Sequence, residues 1–103
     1  MQPVQSTNEA IPLIRPILQK HGVNSAKIVG SFARNKHRDD SDVDILVTFL
    51  PQVRSSMNVM DIIDLRIDLE DVLHRSVDIV VDDLLTVEAI RASMLHDAVE
   101  VHL

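Results

Sequence analysis

Apolar residues change their spacing along this chain, and the changes divide it into helices and strands. The first group recurs at helical intervals and consists of Ile11, Ile14, Ile17 and Leu18. Ser6 and Glu9 have the spacing of a capping box, and Gly22 is a natural stop for a helix. The pattern therefore predicts a first helix that ends before Gly22, and Pro12 and Pro16 leave open where it starts.

Short runs of β-branched and aliphatic residues predict strands. The first run is Ala26–Val29, which leads into Gly30–Ser31 and a helical turn over Phe32–Lys36. The second run is Val43–Leu50, and its nearly continuous apolar character is typical of an interior strand covered on both faces. The third run is Val77–Val81.

Two further stretches predict helices. Over Met57–Arg75, aspartates and apolar residues form separate stripes with the same helical period. The apolar stripe consists of Ile62, Leu65, Leu69, Val72 and Leu73. Asp82–Asp83 is expected to cap a last helix, and Val99–Leu103 to form a short strand after it. The positions spaced for burial in that last helix are Val87, Ile90, Met94 and Leu95.

The alternation of helices with strands predicts an α/β (α+β) fold with a small mixed sheet and helices packed on it. The sequence contains no internal repeat, low-complexity tract or Gly/Ser linker. We therefore expect a single domain over residues 1–103.

Composition indicates where the protein is located in the cell and which classes of partner it binds. The chain has no cysteine, and no apolar run approaches the roughly 20 residues that span a bilayer. Met1–Glu9 contains no basic residue and does not read as a signal peptide. We expect a soluble cytoplasmic protein with no membrane partner. The net charge of -6 argues against stable binding of long nucleic acid and favours a basic protein as partner.

Three aspartates are candidates for a metal site. Asp42 and Asp44 are two positions apart at the mouth of a strand, so both carboxylates lie on one face. Two like charges held together favour a divalent cation, and magnesium prefers oxygen ligands. If the third strand pairs beside the second, Asp78 faces this pair and shares a second metal or acts as general base. The alternative is a structural carboxylate that pairs with Arg75.

The turn at Gly30 and Ser31 is a candidate phosphate site. Glycine lets the backbone approach a phosphate closely, and the amides at a helix start are donors. Ser31 adds a hydroxyl, and Arg34 lies one turn further along the chain. Its guanidinium is suited to phosphate oxygens, although it is equally typical of a surface residue.

These segments together resemble a known family. Gly30–Arg34 reads GSFAR, Ser41–Val47 reads SDVDILV, and Asp78 follows a long helix. This arrangement is similar to the minimal nucleotidyltransferase (MNT) domains of the superfamily that has the DNA polymerase beta type of palm. The resemblance covers Ile28–Val81. One departure is Asn35, where the family commonly has glycine.

The resemblance implies a palm-like fold and a magnesium-dependent transfer of AMP from ATP. It implies that Gly30 and Ser31 bind the β and γ phosphates of ATP. It further implies that Asp42 and Asp44 bind magnesium and that Asp78 completes a site for two ions.

The resemblance also implies a partner. Many members of this size are antitoxins that bind a HEPN-domain ribonuclease toxin and inactivate it by attaching AMP to a tyrosine. We therefore expect a cognate HEPN toxin as partner, in a possible hetero-oligomer. One alternative is an antitoxin that acts by binding alone. Another is the catalytic subunit of a two-chain nucleotidyltransferase that acts on a small molecule or RNA.

Overall fold

The computed structural model describes residues 2–38 and 40–103 of the chain. Helices and strands alternate, as the sequence pattern predicts. The helices are α1 (Thr7–Lys20), α2 (Gly30–Ala33), α3 (Pro51–Arg54), α4 (Val59–Leu73) and α5 (Glu88–Leu95). The strands are β1 (Val23–Val29), β2 (Val43–Phe49), β3 (Val77–Val81) and β4 (Val99–Val101).

The strands form a four-stranded sheet in the order β3-β2-β1-β4. β1 is antiparallel to β2 and to β4, whereas β2 and β3 are parallel. The prediction of a small mixed sheet is therefore confirmed. β2 is an interior strand between β1 and β3, and all its residues except Asp44 and Thr48 are buried, in keeping with its apolar sequence.

One face of the sheet packs against α1 and α4 and forms the core. The helices contribute Ala10, Ile14 and Leu18 from α1, and Leu65, Leu69 and Leu73 from α4, all at 0% exposure. Fully burying one such leucine or isoleucine side chain stabilises the fold by about 1.5 to 3 kcal/mol. Strand residues on this face alternate with residues that point to the other face, as the period of two requires.

α1 begins with one half of a capping box. Ser6 Oγ accepts a hydrogen bond from the Glu9 amide at 3.2 Å, but the Glu9 carboxylate accepts from the Gln5 amide. The helix continues through Pro12 and Pro16, which are both exposed. Their ring atoms therefore do not displace core side chains.

β1 begins at Val23, earlier than the predicted start at Ala26. Asn24 and Ser25 are polar, so the apolar pattern does not predict a strand at these positions. Pairing with β2 keeps it extended, since Ser25 is in register with Thr48 and their hydroxyls are 2.6 Å apart. Pairing with a neighbouring strand therefore stabilises an extended backbone that the local sequence does not predict.

The other predicted ends differ by a few residues. α4 begins after Asn58, whose side chain and that of Asp61 form a complete capping box. α4 ends at Leu73, because His74 adopts a left-handed conformation with φ of 53°. β2 ends one residue before the predicted Leu50, and Pro51 starts the short helix α3.

The prediction for α5 is wrong in two respects. Asp82 and Asp83 belong to a separate 3₁₀ turn, and α5 follows Val87, which gives no side-chain cap. No residue of α5 is buried, and the predicted core positions Val87, Ile90 and Leu95 are 52%, 48% and 41% exposed. Helical spacing identifies an apolar stripe, but it does not show whether another element covers that stripe.

Within the described ranges, no helix is both long and apolar enough to cross a membrane.

Candidate active site

Gly30 lies at the turn from β1 into α2, beside Asp44 of β2. Its φ of 75° is in the left-handed region, which side chains rarely adopt. A Cβ atom added there would lie 2.5 Å from Asp44 Oδ2. The glycine therefore allows the turn to approach a carboxylate more closely than any other residue could.

The sheet register brings the aspartates of β2 and β3 together. Asp44 pairs with Val29 of β1 on one side and with Asp78 of β3 on the other. Asp42 directly precedes β2, and its side chain is exposed. The condition set by the sequence, that Asp78 lies beside the second strand, is therefore met.

The electrostatics of Asp44 show that these carboxylates interact. Burial raises the pKa of Asp44, and the charges of Asp78 and then Asp42 raise the pKa further. Both effects penalise the ionised carboxylate in the absence of a counter-charge. A cation bound at this edge of the sheet would relieve that penalty.

The donor set suits magnesium together with a nucleotide. Among the described residues, no three carboxylate or imidazole side chains are gathered closely enough to hold an ion by themselves. Magnesium is commonly held by one or two carboxylates, with phosphate oxygens and water completing its shell. The half-buried Asp44, with the exposed Asp42 two residues before it and the exposed Asp78 in register on β3, fits that mode of binding.

Ser31 and Arg34 lie close to this edge. Ser31 follows Gly30 in α2, and its carbonyl accepts a hydrogen bond from the Lys36 amide at 3.0 Å. Arg34 ends α2 with an exposed side chain and forms no ion pair within the described ranges. The structure thus places Arg34 near the turn and leaves its guanidinium accessible.

Sequence reasoning missed the role of Arg75, which it considered only as a partner of Asp78. Arg75 is 6% exposed and donates to backbone carbonyls of Val4, Arg38 and Ser41. A charged residue between a helix and a buried strand was the available signal. Its partners could not be predicted, because they are backbone atoms from distant segments.

Comparison with known proteins places the chain in a family. Residues 13–100 match the family model described as polymerase beta, nucleotidyltransferase. This range includes every candidate site residue named above.

Relatives and solved structures agree with this match. A Methanocaldococcus jannaschii protein named as a candidate protein adenylyltransferase is 44% identical over 72 residues, which are 70% of this chain and 73% of that protein. Another from the same organism, with the same description, is 32% identical over 101 residues, covering 90% and 99%.

The structural matches show the same architecture. A solved candidate minimal nucleotidyltransferase has a TM-score of 0.73 and 29% identity, with 89% of each chain covered. A Shewanella oneidensis complex of a tri-AMPylated HEPN toxin with an MNT antitoxin has a TM-score of 0.68 and 14% identity, with 92% of this chain and 71% of that chain covered. The fold, the aspartates of β2 and β3 that lie in register, and the family match lead to one conclusion: the chain belongs to the polymerase beta nucleotidyltransferase family.

Proposed function

We propose that the chain transfers AMP from ATP to a hydroxyl group of a partner protein. The observation that carries the proposal is the register of Asp44 with Asp78, directly beside the turn at Gly30. Carboxylates next to a close-approach glycine suit a cation that is bound together with a triphosphate. Relatives named as candidate protein adenylyltransferases support a protein as acceptor.

Each candidate residue has a role in this proposal. Gly30 and Ser31 bind the β and γ phosphates, and the exposed Arg34 contacts phosphate oxygens. Asp42, Asp44 and Asp78 would hold two magnesium ions. Magnesium, when bound, stabilises the charge that develops on the entering and departing oxygens.

The proposed reaction exchanges one phosphorus–oxygen bond for another. The acceptor oxygen attacks the α-phosphorus of ATP, and the bond to the pyrophosphate oxygen breaks. The acceptor proton passes to Asp78, whose exposed side chain on an edge strand is open to an incoming protein. AMP remains on the acceptor, and pyrophosphate leaves.

The proposed acceptor is a tyrosine of a cognate HEPN toxin, and the chain then acts as its antitoxin. Support comes from the structural match to the Shewanella oneidensis complex, whose HEPN toxin carries AMP. A second match, a toxin–antitoxin structure with AMP-PNP, has a TM-score of 0.73 at 16% identity. The net charge of -6 suits a basic partner in a hetero-oligomer.

Label transfer tests the proposal. The chain is incubated with α-labelled ATP, magnesium and a candidate partner, a HEPN-domain protein from a neighbouring gene. We expect label on the partner, and loss of that label with Asp44→Ala and with Asp78→Ala. Asp64→Ala is the matched control, because Asp64 is an exposed aspartate on α4.

Two results would contradict the proposal. One is an unlabelled partner, and the other is label that Asp44→Ala leaves unchanged. If the partner is inhibited in the absence of ATP, binding alone is sufficient and the transfer step is not the source of inhibition.

A further inference from the structure

Arg75 contacts α2 at Phe32, the segment that leads into β2, and the N-terminal segment at Val4. It follows α4 and stands three residues before Asp78. We propose that Arg75 is a positioning residue that holds the turn at Gly30 and Ser31 in a fixed arrangement with Ser41 and Asp42, which lead into β2. The inference rests on the proposed function and adds to it a residue that touches neither nucleotide nor metal.

The first contact fixes the approach to the carboxylates. Arg75 Nη1 donates to the carbonyl oxygens of Arg38 at 2.8 Å and of Ser41 at 3.2 Å. Ser41 directly precedes Asp42, and its hydroxyl accepts from the Arg38 amide at 2.7 Å. One guanidinium nitrogen therefore fixes two backbone positions of the segment that leads into β2.

The second contact reaches the turn at Gly30 and Ser31. The guanidinium carbon of Arg75 lies 5.3 Å from the ring centroid of Phe32, within the range of a cation–π interaction. Phe32 is 1% exposed and directly follows Ser31 in α2. A substitution at Arg75 is therefore expected to alter the position of α2, the helix that begins at Gly30.

The third contact anchors Arg75 to the rest of the fold. Its Nε donates to the Val4 carbonyl at 2.6 Å, and the Val4 amide donates to the Leu73 carbonyl at 3.1 Å. The next residue, Ser76, accepts from the Val43 amide at 2.9 Å. These hydrogen bonds hold the Arg75 side chain and the backbone between α4 and β3 in place.

Lysine cannot reproduce this arrangement. Arginine has donors on separate nitrogens in a planar fork, and its flat face stacks on an aromatic ring. Arg75 uses its separate donors, because Nε and Nη1 donate to carbonyls of different segments while the guanidinium carbon lies over the Phe32 ring. An ammonium group would retain the charge but lose the simultaneous contacts.

The experiment compares Arg75→Lys with Arg91→Lys in the full chain. Arg91 is a matched control, because its Nη2 also donates to backbone carbonyls, those of Asp82 and Leu85 at 3.1 and 2.7 Å. Those carbonyls lie beyond β3, away from the candidate active site. Backbone amide NMR spectra without metal, thermal unfolding, and the magnesium concentration for half-maximal AMP transfer are measured for both variants.

We expect Arg75→Lys to shift the amides of residues 31–33 and 40–44 together. Its kcat should fall about 10-fold and its half-maximal magnesium concentration rise about 10-fold, in the range of supporting residues around metal sites. Arg91→Lys should lower the unfolding temperature to a similar degree and leave both kinetic values unchanged. If Arg75→Lys does not fold, Phe32→Leu should shift the amides of residues 40–44 by removing the stacked ring.

The proposal is overturned if either amide segment keeps its wild-type shifts, or if Arg91→Lys alters magnesium dependence equally. If the wild-type chain transfers no AMP, the proposed function fails, and the amide shifts still decide whether Arg75 couples the two segments.

Discussion

Gly22 and Gly30 have almost the same backbone conformation at opposite ends of β1. Their φ angles are 76° and 75°, in the left-handed region. An added Cβ atom would lie 2.5 Å from Val53 Cγ2 at Gly22, and 2.5 Å from Asp44 Oδ2 at Gly30. The two positions therefore carry similar backbone strain for any other residue, but only one of them adjoins a carboxylate of the candidate site.

Gly30→Ala is expected to lose stability and AMP transfer together. The left-handed conformation alone costs about 1 to 2 kcal/mol for alanine, and the new methyl group must displace the Asp44 carboxylate. Gly22→Ala should lose a similar amount of stability and retain transfer after correction for unfolded protein. Urea unfolding and label transfer on both variants check this, and equal activity in the two would contradict it.

Asp44→Asn is expected to stabilise the cation-free protein at pH 7. Because the pKa of Asp44 is raised above 3.8 in the folded chain, the folded state holds its proton more tightly than the unfolded state. Stability from this group is present below pH 3.8 and is lost as pH rises through the folded pKa. At pH 7 the wild type therefore carries a penalty that asparagine removes.

Unfolding temperatures of wild type and Asp44→Asn across pH, in a chelating buffer, measure this penalty. The advantage of the variant should shrink as pH falls toward 4. Added magnesium with a non-hydrolysable ATP analogue should favour the wild type instead. A variant less stable than wild type at pH 7 in chelator would show that the Asp44 carboxylate is not penalised.

The residues that bind nucleotide or magnesium in the proposal could be named from sequence because they lie in short motifs. Gly30, Asp44 and Asp78 each stand out locally, as a glycine after a strand or a charge within one. Arg75 does not stand out in that way, since its partners are main-chain oxygens of segments far along the chain. No local pattern encodes such a contact.

α4 depends on a cap that the sequence pattern did not identify. Asn58 Oδ1 accepts from the Asp61 amide at 3.2 Å, and Asp61 Oδ2 accepts from the Asn58 amide at 2.9 Å. We expect Asn58→Ala to destabilise the protein by about 1 kcal/mol. AMP transfer should not change, because the cap lies at the helix end remote from Asp78.

Chemical unfolding of Asn58→Ala and of the control Asn8→Ala measures the effect of the cap. Asn8 is an exposed position within α1, where alanine has the better helix propensity. Asn8→Ala should be neutral or slightly stabilising. Equal destabilisation of both variants would assign the loss to something other than the cap.

The bounds of a helix or strand were predicted correctly where a single apolar pattern extended over all its residues. β3 was predicted with its exact bounds, because every residue except Asp78 is apolar and β-branched or aliphatic. β1 was predicted short, since Asn24 and Ser25 are polar, and Ser25 is held extended by its pairing with Thr48 rather than by its own preference. The exposure of α5 depends on what packs against it, which no single element encodes.

For the molecule as a whole, the proposed ligands should act as stabilisers. A ligand that binds only the folded chain stabilises it by about 2.7 kcal/mol at a concentration 100 times its Kd. A non-hydrolysable ATP analogue with magnesium should therefore raise the unfolding temperature of the wild type. Asp44→Ala should abolish the gain, and Asp64→Ala should retain it. An equal gain in both variants would place nucleotide binding elsewhere.

The mixed sheet was predicted from the alternation of elements, but the strand order was not. The predicted site required Val77–Val81 to lie beside Val43–Leu50, and the parallel register of β2 with β3 meets this requirement. The strand order β3-β2-β1-β4 pairs segments that are distant in the chain, and α1 and α4 share one core with the strands. The strand order is therefore a property of the assembled sheet and core and not of any single segment.

The parallel pairing of β2 with β3 has a consequence for how the protein is made. Asp44 leaves the ribosome well before Asp78, with the whole of α4 between them. The glycine turn and the first aspartates are therefore available early, while the last carboxylate arrives only after the connecting helix. In the proposed mechanism, a nascent chain that still lacks β3 also lacks Asp78, so AMP transfer begins only once β3 has paired with β2.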